Sequence, residues 1–305
     1  MTAPRSVASW TSSWSSDSAD LPAVGAHPAD RPATLTAVCL LVFAWQTEPG
    51  YPLVVAANRD ERLDRPAHSL CVLQDHGPRI LGGRDDVAGG TWLAVNQHGV
   101  VAGLTNRPAP GGRDLTMRSR GELPLMLAGR PTADEAVARL LEEVVPGQYN
   151  PAWLLVGDRH SLWYLELATD LAPTALPLAP GIHVLENVAL GERSPKADRV
   201  RSLVLGGRAD GPSVWSGLSS VLADHVLPPG AAEATFEDDG RSPRPGATLA
   251  ACVHTDEYGT RSAALVRVPR SADARPEMLV ADGPPCTAPF VDVGGRWEGG
   301  PGAVD

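Results

Sequence analysis

Four times along this chain a short apolar run is followed by turn-forming residues and then a second short apolar run. The first pair is Cys39-Leu40-Leu41-Val42-Phe43-Ala44-Trp45 and Leu53-Val54-Val55-Ala56-Ala57, separated by a stretch ending in Gly50, Tyr51 and Pro52. Runs this short, bounded by Gly and Pro, read as paired strands. Residues 91–95 and 100–105 flank Asn96-Gln97-His98-Gly99, a good hairpin turn. Residues 153–156 and 162–165 flank Gly157-Asp158-Arg159-His160, and residues 248–253 and 262–266 flank the stretch 254–261. Several hairpins in one chain predict mostly antiparallel sheet.

Helices are fewer. Thr132-Ala133-Asp134-Glu135 is a capping box, followed by Ala136, Val137, Leu140, Leu141 and Val144 at helical spacing. Ser194-Pro195 reads as an N-cap with Pro in the first turn of a helix through Val200, Leu203 and Val204. Further helices are expected over 213–222 and, briefly, after Ser119. Hairpins interleaved with helices predict an α+β domain of layered sheets covered by helices. The acidic, Gly- and Pro-rich stretch 228–245 reads as a loop, and no repeat or boundary between two folded domains is evident.

Bulk properties narrow the function. A chain of 305 residues can bury a substantial core. Its net charge of −10 argues against a nucleic-acid partner, which needs a basic face. No apolar run approaches the roughly 18 residues of a spanning helix, so stable membrane insertion is not expected. Residues 1–37 are rich in Ser, Ala, Pro and Asp, lack an apolar signal core and read as a disordered extension. The four cysteines are widely spaced and contain no CxxC pair, so reduced thiols and a cytoplasmic location are expected. His160, His183 and His254 are too scattered to show metal-ligand spacing, and Cys71, Cys252 and Cys286 read as inert thiols. No glycine-rich nucleotide motif is present, so no cofactor is expected.

The first hairpin carries the chemistry. Its second arm ends in Asn58-Arg59-Asp60-Glu61-Arg62, which the turn returns to the end of the sheet where Cys39 begins. A thiol, a guanidinium and a carboxylate then share one corner. Each has a plain structural reading too: a buried small side chain for Cys39, a strand-end ion pair for Arg59 and Asp60.

With these motifs in place the chain resembles the NRDE family, also called the transport and Golgi organisation protein 2 family. The matching segments are residues 39–45, Ala57-Asn58-Arg59-Asp60-Glu61 with Arg65-Pro66, Gly89-Gly90-Thr91-Trp92-Leu93, and Ala102-Gly103-Leu104-Thr105-Asn106. Ser119-Arg120-Gly121-Glu122-Leu123 and residues 254–262 complete the set. The resemblance spans about 38–270, leaving 271–305 as a C-terminal strand and a Gly- and Pro-rich tail. The family in turn is similar to N-terminal-nucleophile hydrolases of the Cys type, which implies a four-layer αββα sandwich. Carried over position by position, that likeness implies a site of Cys39, Arg59, Asp60, Asn106, Asn187 and Arg261. The hydrolases separate Arg from Asp by two residues, so the acidic partner is either Asp60 or Glu61. The expected hydroxyl residue before Asn187 is replaced by Glu186.

A Cys that carries its own α-amino group needs no His. The amine has a pKa of roughly 7.7–8.0 against about 8.5 for the thiol, so one can serve as base for the other. Arg59 favours the thiolate, Asp60 orients the amine, and Asn106 donates to the developing oxyanion. These parts suit hydrolysis of an amide or thioester of a small acylated molecule. The scheme requires a free amine at Cys39, which 38 residues precede. Translation starting at Val38, read as Met and trimmed, supplies one route. The Ala, Arg, Pro and Gly bias suggests a GC-rich gene in which GTG can start translation. Autocatalytic removal of residues 1–38 supplies another route, and the absence of the family's motifs from the lead favours the first. The resemblance equally implies a non-catalytic alternative, binding or trafficking of haem or acyl-coenzyme A lipid. Leu40 after Cys39 departs from the Cys-Pro pair of haem-responsive sites.

Overall fold

Strand β1 (Leu40–Glu48) and strand β2 (Tyr51–Arg62) form the first hairpin, with Leu40 opposite Asn58 and Trp45 opposite Leu53. The computed structural model describes residues 39–109, 111–207, 213–227, 235–236 and 244–298. Both faces of the hairpin are buried, which is why its arms read as unbroken apolar runs instead of alternating. Leu41, Phe43, Trp45, Val55 and Ala57 face one side. Leu40, Val42, Ala44, Val54 and Ala56 face the other.

Two antiparallel sheets account for the architecture. The first runs β10 (Gly181–Leu185), β1, β2, β13 (Tyr258–Val268), β14 (Glu277–Ala281), β15 (Val291–Asp292). The second takes seven strands in chain order: β3 (Ala67–Gln74), β4 (Ile80–Asp85), β5 (Leu93–Asn96), β6 (Val101–Asn106), β7 (Ala152–Gly157), β8 (Leu162–Leu167) and β9 (Thr174–Pro177).

Three apolar layers glue the sheets and helices together. Leu41, Phe43 and Val55 of the first sheet meet Leu93, Val95, Val101 and Leu155 of the second in one core. On the outer face of the first sheet lie α3 (Pro195–Gly207) and α4 (Trp215–Leu222), through Val200, Val204, Leu218 and Leu222. On the outer face of the second lie α1 (Glu122–Ala128) and α2 (Ala133–Glu143), through Leu123, Leu127, Val137 and Leu140. The result is the expected four-layer αββα sandwich. Among the described residues no helix is long and apolar enough to cross a membrane.

Local signals behave as their chemistry dictates. Thr132 Oγ1 accepts from the Glu135 N–H at 3.2 Å, capping α2. Ser194 Oγ accepts from the Ala197 N–H at 3.1 Å and opens α3.

Three expectations need correction. Residues 248–253 are not the first arm of a hairpin: Gly246–Leu249 is a 3-10 helix, and residues 250–253 run as irregular chain. The backbone there is claimed by other partners, because Ala251 O accepts from Asn58 Nδ2 and the Cys252 N–H donates to Asp224 O. Strand β13 therefore pairs with β2 instead. Within the presumed loop 228–245, β11 (Thr235–Phe236) and β12 (Arg244–Pro245) pair antiparallel, and the rest of that stretch lies outside the described residues. Residues 271–298 are more than a strand and tail, since both β14 and β15 join the first sheet. The extension 1–37 and the last residues, 299–305, lie outside the described residues.

Candidate functional site

The register of the central strands fixes the site. Leu40 pairs with Asn58 across the β1–β2 ladder, so one step outward Cys39 stands opposite Arg59. On the other edge Leu41 pairs with Leu185 of β10, so two steps outward Cys39 stands opposite Asn187. Cys39 thus sits between an Arg and an Asn that are 128 residues apart in the chain (187 − 59). It is a half-buried free thiol, and Asn187 is buried.

Electrostatics hold this thiol neutral. Burial pushes the Cys39 thiol up to about 12, with the Asp60 charge adding to the rise and the Arg59 charge opposing it. The Asp60 backbone N–H donates to the sulfur and also opposes the rise. The sulfur therefore feels both charges of the Arg59-Asp60 pair.

The two charges leave β2 on opposite faces. Arg59 points into the gap between the sheets, where its guanidinium carbon lies 4.5 Å from the Trp92 ring centroid. Its side chain is 3% exposed, and Nη1 and Nη2 make no hydrogen bond. Nη2 stands 3.7 Å from Asp85 and 3.9 Å from Glu61. Asp85 is occupied by Arg65, whose Nε and Nη2 donate to it at 2.9 and 3.1 Å. A buried guanidinium with two donor nitrogens unused has the hydrogen-bonding capacity to take an anionic or carbonyl acceptor.

Glycines make the seat for Arg59. A Cβ on Gly83 would stand about 2.0 Å from Trp92 ring atoms, so only glycine leaves room for the indole there. Gly90, at φ +81°, packs its Cα against the Gly121 backbone, and the Thr91 N–H donates to Gly121 O at 2.9 Å. The Gly89-Gly90-Thr91-Trp92 and Ser119-Arg120-Gly121 segments are thus two halves of one backbone contact.

Asp60 faces the helices. Its Oδ1 accepts from Thr260 Oγ1 at 2.6 Å, and its Oδ2 lies 3.4 Å from Lys196 Nζ on α3. Asp60 and Lys196 are both almost fully buried. Burial raises the Asp60 carboxyl above its ordinary range, with Lys196 and Thr260 offsetting part of the rise. Glu186 is also buried and raised, against the pull of Lys196. Glu61, the other acidic candidate, is less buried and lies on the Arg59 side with Arg65, 3.6 Å away.

The remaining candidates divide. Asn106 ends β6 opposite Ala152, on the strand whose Gly103 packs against Leu41 of β1. Arg261 occupies a bulge in β13 between Thr260 and Ser262. Its Nη1 donates to the carbonyls of Arg62 (2.9 Å) and Leu63, so it clamps the chain leaving β2. The register gathers Cys39, Arg59, Asp60 and Asn187 at one strand end. Trp92, Asp85, Lys196 and Thr260 join them without having been singled out in the sequence. Trp92 and Thr260 lay within the Gly-Gly-Thr-Trp and 254–262 segments, and nothing in the sequence pointed to Asp85 or Lys196.

No set of metal-ligating side chains surrounds Cys39 among the described residues, but one exists elsewhere. His254, expected to stand alone, lies with His225, Cys252 and Cys286, all of their ligand atoms within 4.8 Å of one another. The supposedly inert Cys252 and Cys286 are therefore neighbours.

A family profile described as Transport and Golgi organisation 2 matches residues 38–275. The chain is 29% identical over 252 residues to the Transport and Golgi organization protein 2 homolog of Bos taurus, covering 76% of this chain and 88% of that one. In fold it is similar to a conjugated bile acid hydrolase from Clostridium perfringens (TM-score 0.49, 11% identity, 83% of this chain and 92% of that one). It is also similar to an N-acylethanolamine-hydrolyzing acid amidase ortholog from Caenorhabditis elegans (TM-score 0.43, 12% identity, 77% and 94%).

Proposed function

This chain belongs to the Transport and Golgi organisation 2 family, and from that premise we propose that it hydrolyses an amide or thioester of a small acylated molecule through Cys39. One observation carries the reading: a thiol lies between Arg59 and Asn187 on neighbouring strands, beside a buried guanidinium that holds two unused donors.

The chemistry needs the α-amine of Cys39 to be free. As long as a peptide bond blocks it, a thiol with a pKa near 12 is protonated at neutral pH and is a poor nucleophile. Freed, the amine takes the thiol proton, and sulfur attacks the substrate carbonyl carbon. The resulting oxyanion finds donors in Arg59 and in the amide groups of Asn187 or Asn106. Collapse expels the leaving amine or thiol, which takes the proton from the ammonium. Water then attacks the acyl-thioester and releases the acid, restoring the thiol. Asp60, held by Thr260 and Lys196, orients the strand end and the amine.

The test uses chain expressed to begin at Cys39 after removal of an initiator Met. It is incubated with a panel of acyl thioesters and N-acyl amides and followed by intact mass. Acyl adduct on Cys39, with turnover lost in Cys39→Ala and weakened in Arg59→Ala, is the expected result. Absence of any adduct, together with a Soret shift on haemin titration that Cys39→Ala removes, would replace this reading with haem binding.

A further inference from the structure

Independently of Cys39, we infer that His225, Cys252, His254 and Cys286 form a structural binding site for a tetrahedral divalent cation, Zn²⁺ being the fitting ion. Four residues spread over 61 positions (286 − 225) bring their ligand atoms within 4.8 Å of one another. Cys252 Sγ lies 3.8 Å from Cys286 Sγ and 3.6 Å from His254 Nε2, and His254 Nε2 lies 3.2 Å from Cys286 Sγ. A tetrahedron with bonds of about 2.3 Å to sulfur and about 2.0 Å to nitrogen has S···S edges of about 3.8 Å and S···N edges of about 3.5 Å. The Cys252–Cys286 and Cys252–His254 edges match these dimensions and the His254–Cys286 edge is slightly shorter, with His225 within 4.8 Å of all three. A disulfide does not fit them, since bonded sulfurs lie about 2.05 Å apart.

The tautomer of the fourth ligand follows from its backbone partner. His225 Nδ1 lies 3.1 Å from Cys252 O, and a carbonyl can only accept, so the ring proton sits on Nδ1. Nε2 is left with a free lone pair. Backbone carbonyls anchor metal-binding imidazoles in just this way, by holding the nitrogen that does not ligate. The His225 and His254 rings stand 5.0 Å apart between centroids and are tilted 50° from parallel.

Each ligand rides on a chain segment fixed by its own hydrogen bonds. His225 follows Asp224, which Arg199 of α3 grips through Nε and Nη2 at 2.6 and 2.9 Å. The Cys252 N–H donates to Asp224 O at 2.9 Å, and the Val253 N–H donates to Thr260 Oγ1 at 2.9 Å. His254 bridges to Gly259 at the entry to β13. Cys286 sits in a turn after β14, closed by the Thr287 and Ala288 N–H groups on Pro284 O at 3.0 and 2.8 Å. Two thiolates and two imidazoles exclude the oxygen-seeking Mg²⁺ and Ca²⁺ and suit Zn²⁺. With four protein ligands no coordination position stays open for water, so the ion would staple the end of α4 to the approach to β13 and the β14 turn.

Full-length chain, reduced and stripped with chelator, is titrated with Co²⁺ as a spectroscopic probe and then with Zn²⁺. The expected result is one equivalent of Co²⁺ giving tetrahedral d–d bands and sulfur-to-cobalt charge transfer, both displaced by one equivalent of Zn²⁺. Cys286→Ser and His254→Ala, changes at exposed positions, should weaken Zn²⁺ by more than the roughly 10–100-fold typical of losing an outer-shell partner. Cys71→Ala should leave the affinity unchanged. Zn²⁺ should raise the melting temperature of the parent chain and leave that of Cys286→Ser where it is. The inference is overturned if the reduced chain binds no Co²⁺, if the bound Co²⁺ lacks charge transfer from sulfur, or if Cys286→Ser binds Zn²⁺ as tightly as its parent.

Discussion

Arg59 of one sheet lies over the Trp92 ring at the entry to β5 of the other sheet, 4.5 Å from the ring centroid. This contact spans the gap between the layers and sets where the guanidinium stands relative to Cys39. It depends on Gly83, because a methyl group there would occupy the indole's place.

Gly83→Ala should therefore displace Trp92 and free Arg59 from its seat. Overpacking of this kind costs about 1–3 kcal/mol. Because Arg59 opposes the rise in the Cys39 thiol pKa, the variant should also alkylate more slowly at Cys39 than its parent. A melting curve reads the first effect and iodoacetamide labelling at Cys39 the second. Unchanged labelling alongside lowered stability would detach Trp92 from the site.

The Cys39 thiol itself offers a sign test. With its pKa near 12, alkylation of the full-length chain should be slow at pH 8 and still rising at pH 10. Asp60→Asn removes the neighbouring charge that adds to the rise, so its profile should move to lower pH. Arg59→Ala should move it to higher pH. Two shifts of the same sign would contradict the placement of the charges around the sulfur.

Much of this arrangement could be read from residues alone, and the remainder has identifiable causes. The run from Cys39 to Trp45 and its partner run were legible because a strand buried on both faces leaves no polar interruption. Arg59 and Asp60 followed from the turn that joins them. Asn187 was harder: β10 is five residues long, Gly181-Ile182-His183-Val184-Leu185, and only its pairing with β1 reveals that Asn187 faces Cys39. Lys196 hid in the first turn of a helix, where a lysine ordinarily faces solvent, and Asp85 closed a strand made of Ile-Leu-Gly-Gly-Arg-Asp. Residues 248–253 have the composition of a strand, but Asn58 and Asp224 take the hydrogen bonds a ladder would need. The His225, Cys252, His254 and Cys286 cluster is invisible to spacing because three separate chain segments build it.

Acid should expose the Asp85 contribution. Burial raises the Asp85 carboxyl, but the Arg65 guanidinium and the Ala88 and Val87 N–H groups outweigh it and hold the group below its ordinary range. A carboxyl lowered by folding contributes stability above its unfolded value of about 3.9 and loses it as pH falls through the lower folded value. Asp85→Asn should cost about 1–3 kcal/mol at pH 7. Its stability should also fall less than the parent's between pH 5 and the acid limit, as a urea-melt series across that range will show. Parallel curves for the two proteins would mean that Asp85 is not held in its ionised form by Arg65.

The buried Asp60–Lys196 pair makes the opposite kind of prediction. Folding raises the Asp60 carboxyl, chiefly through burial, so its contribution is fullest below the unfolded value of about 3.9 and fades as pH rises through the higher folded value. Lys196, 3.4 Å away, limits that loss. Lys196→Met leaves the carboxylate without its counter-charge and should cost about 3–5 kcal/mol at pH 7. That cost should shrink as pH falls and Asp60 takes up a proton. Asp60→Asn combined with Lys196→Met removes both charges, keeps an acceptor for Thr260, and should recover most of the stability. Denaturant melts of the two variants at pH 5 and pH 7 separate the cases, and a double variant no more stable than Lys196→Met would show that Lys196 acts through packing or through the buried Glu186 and not through Asp60.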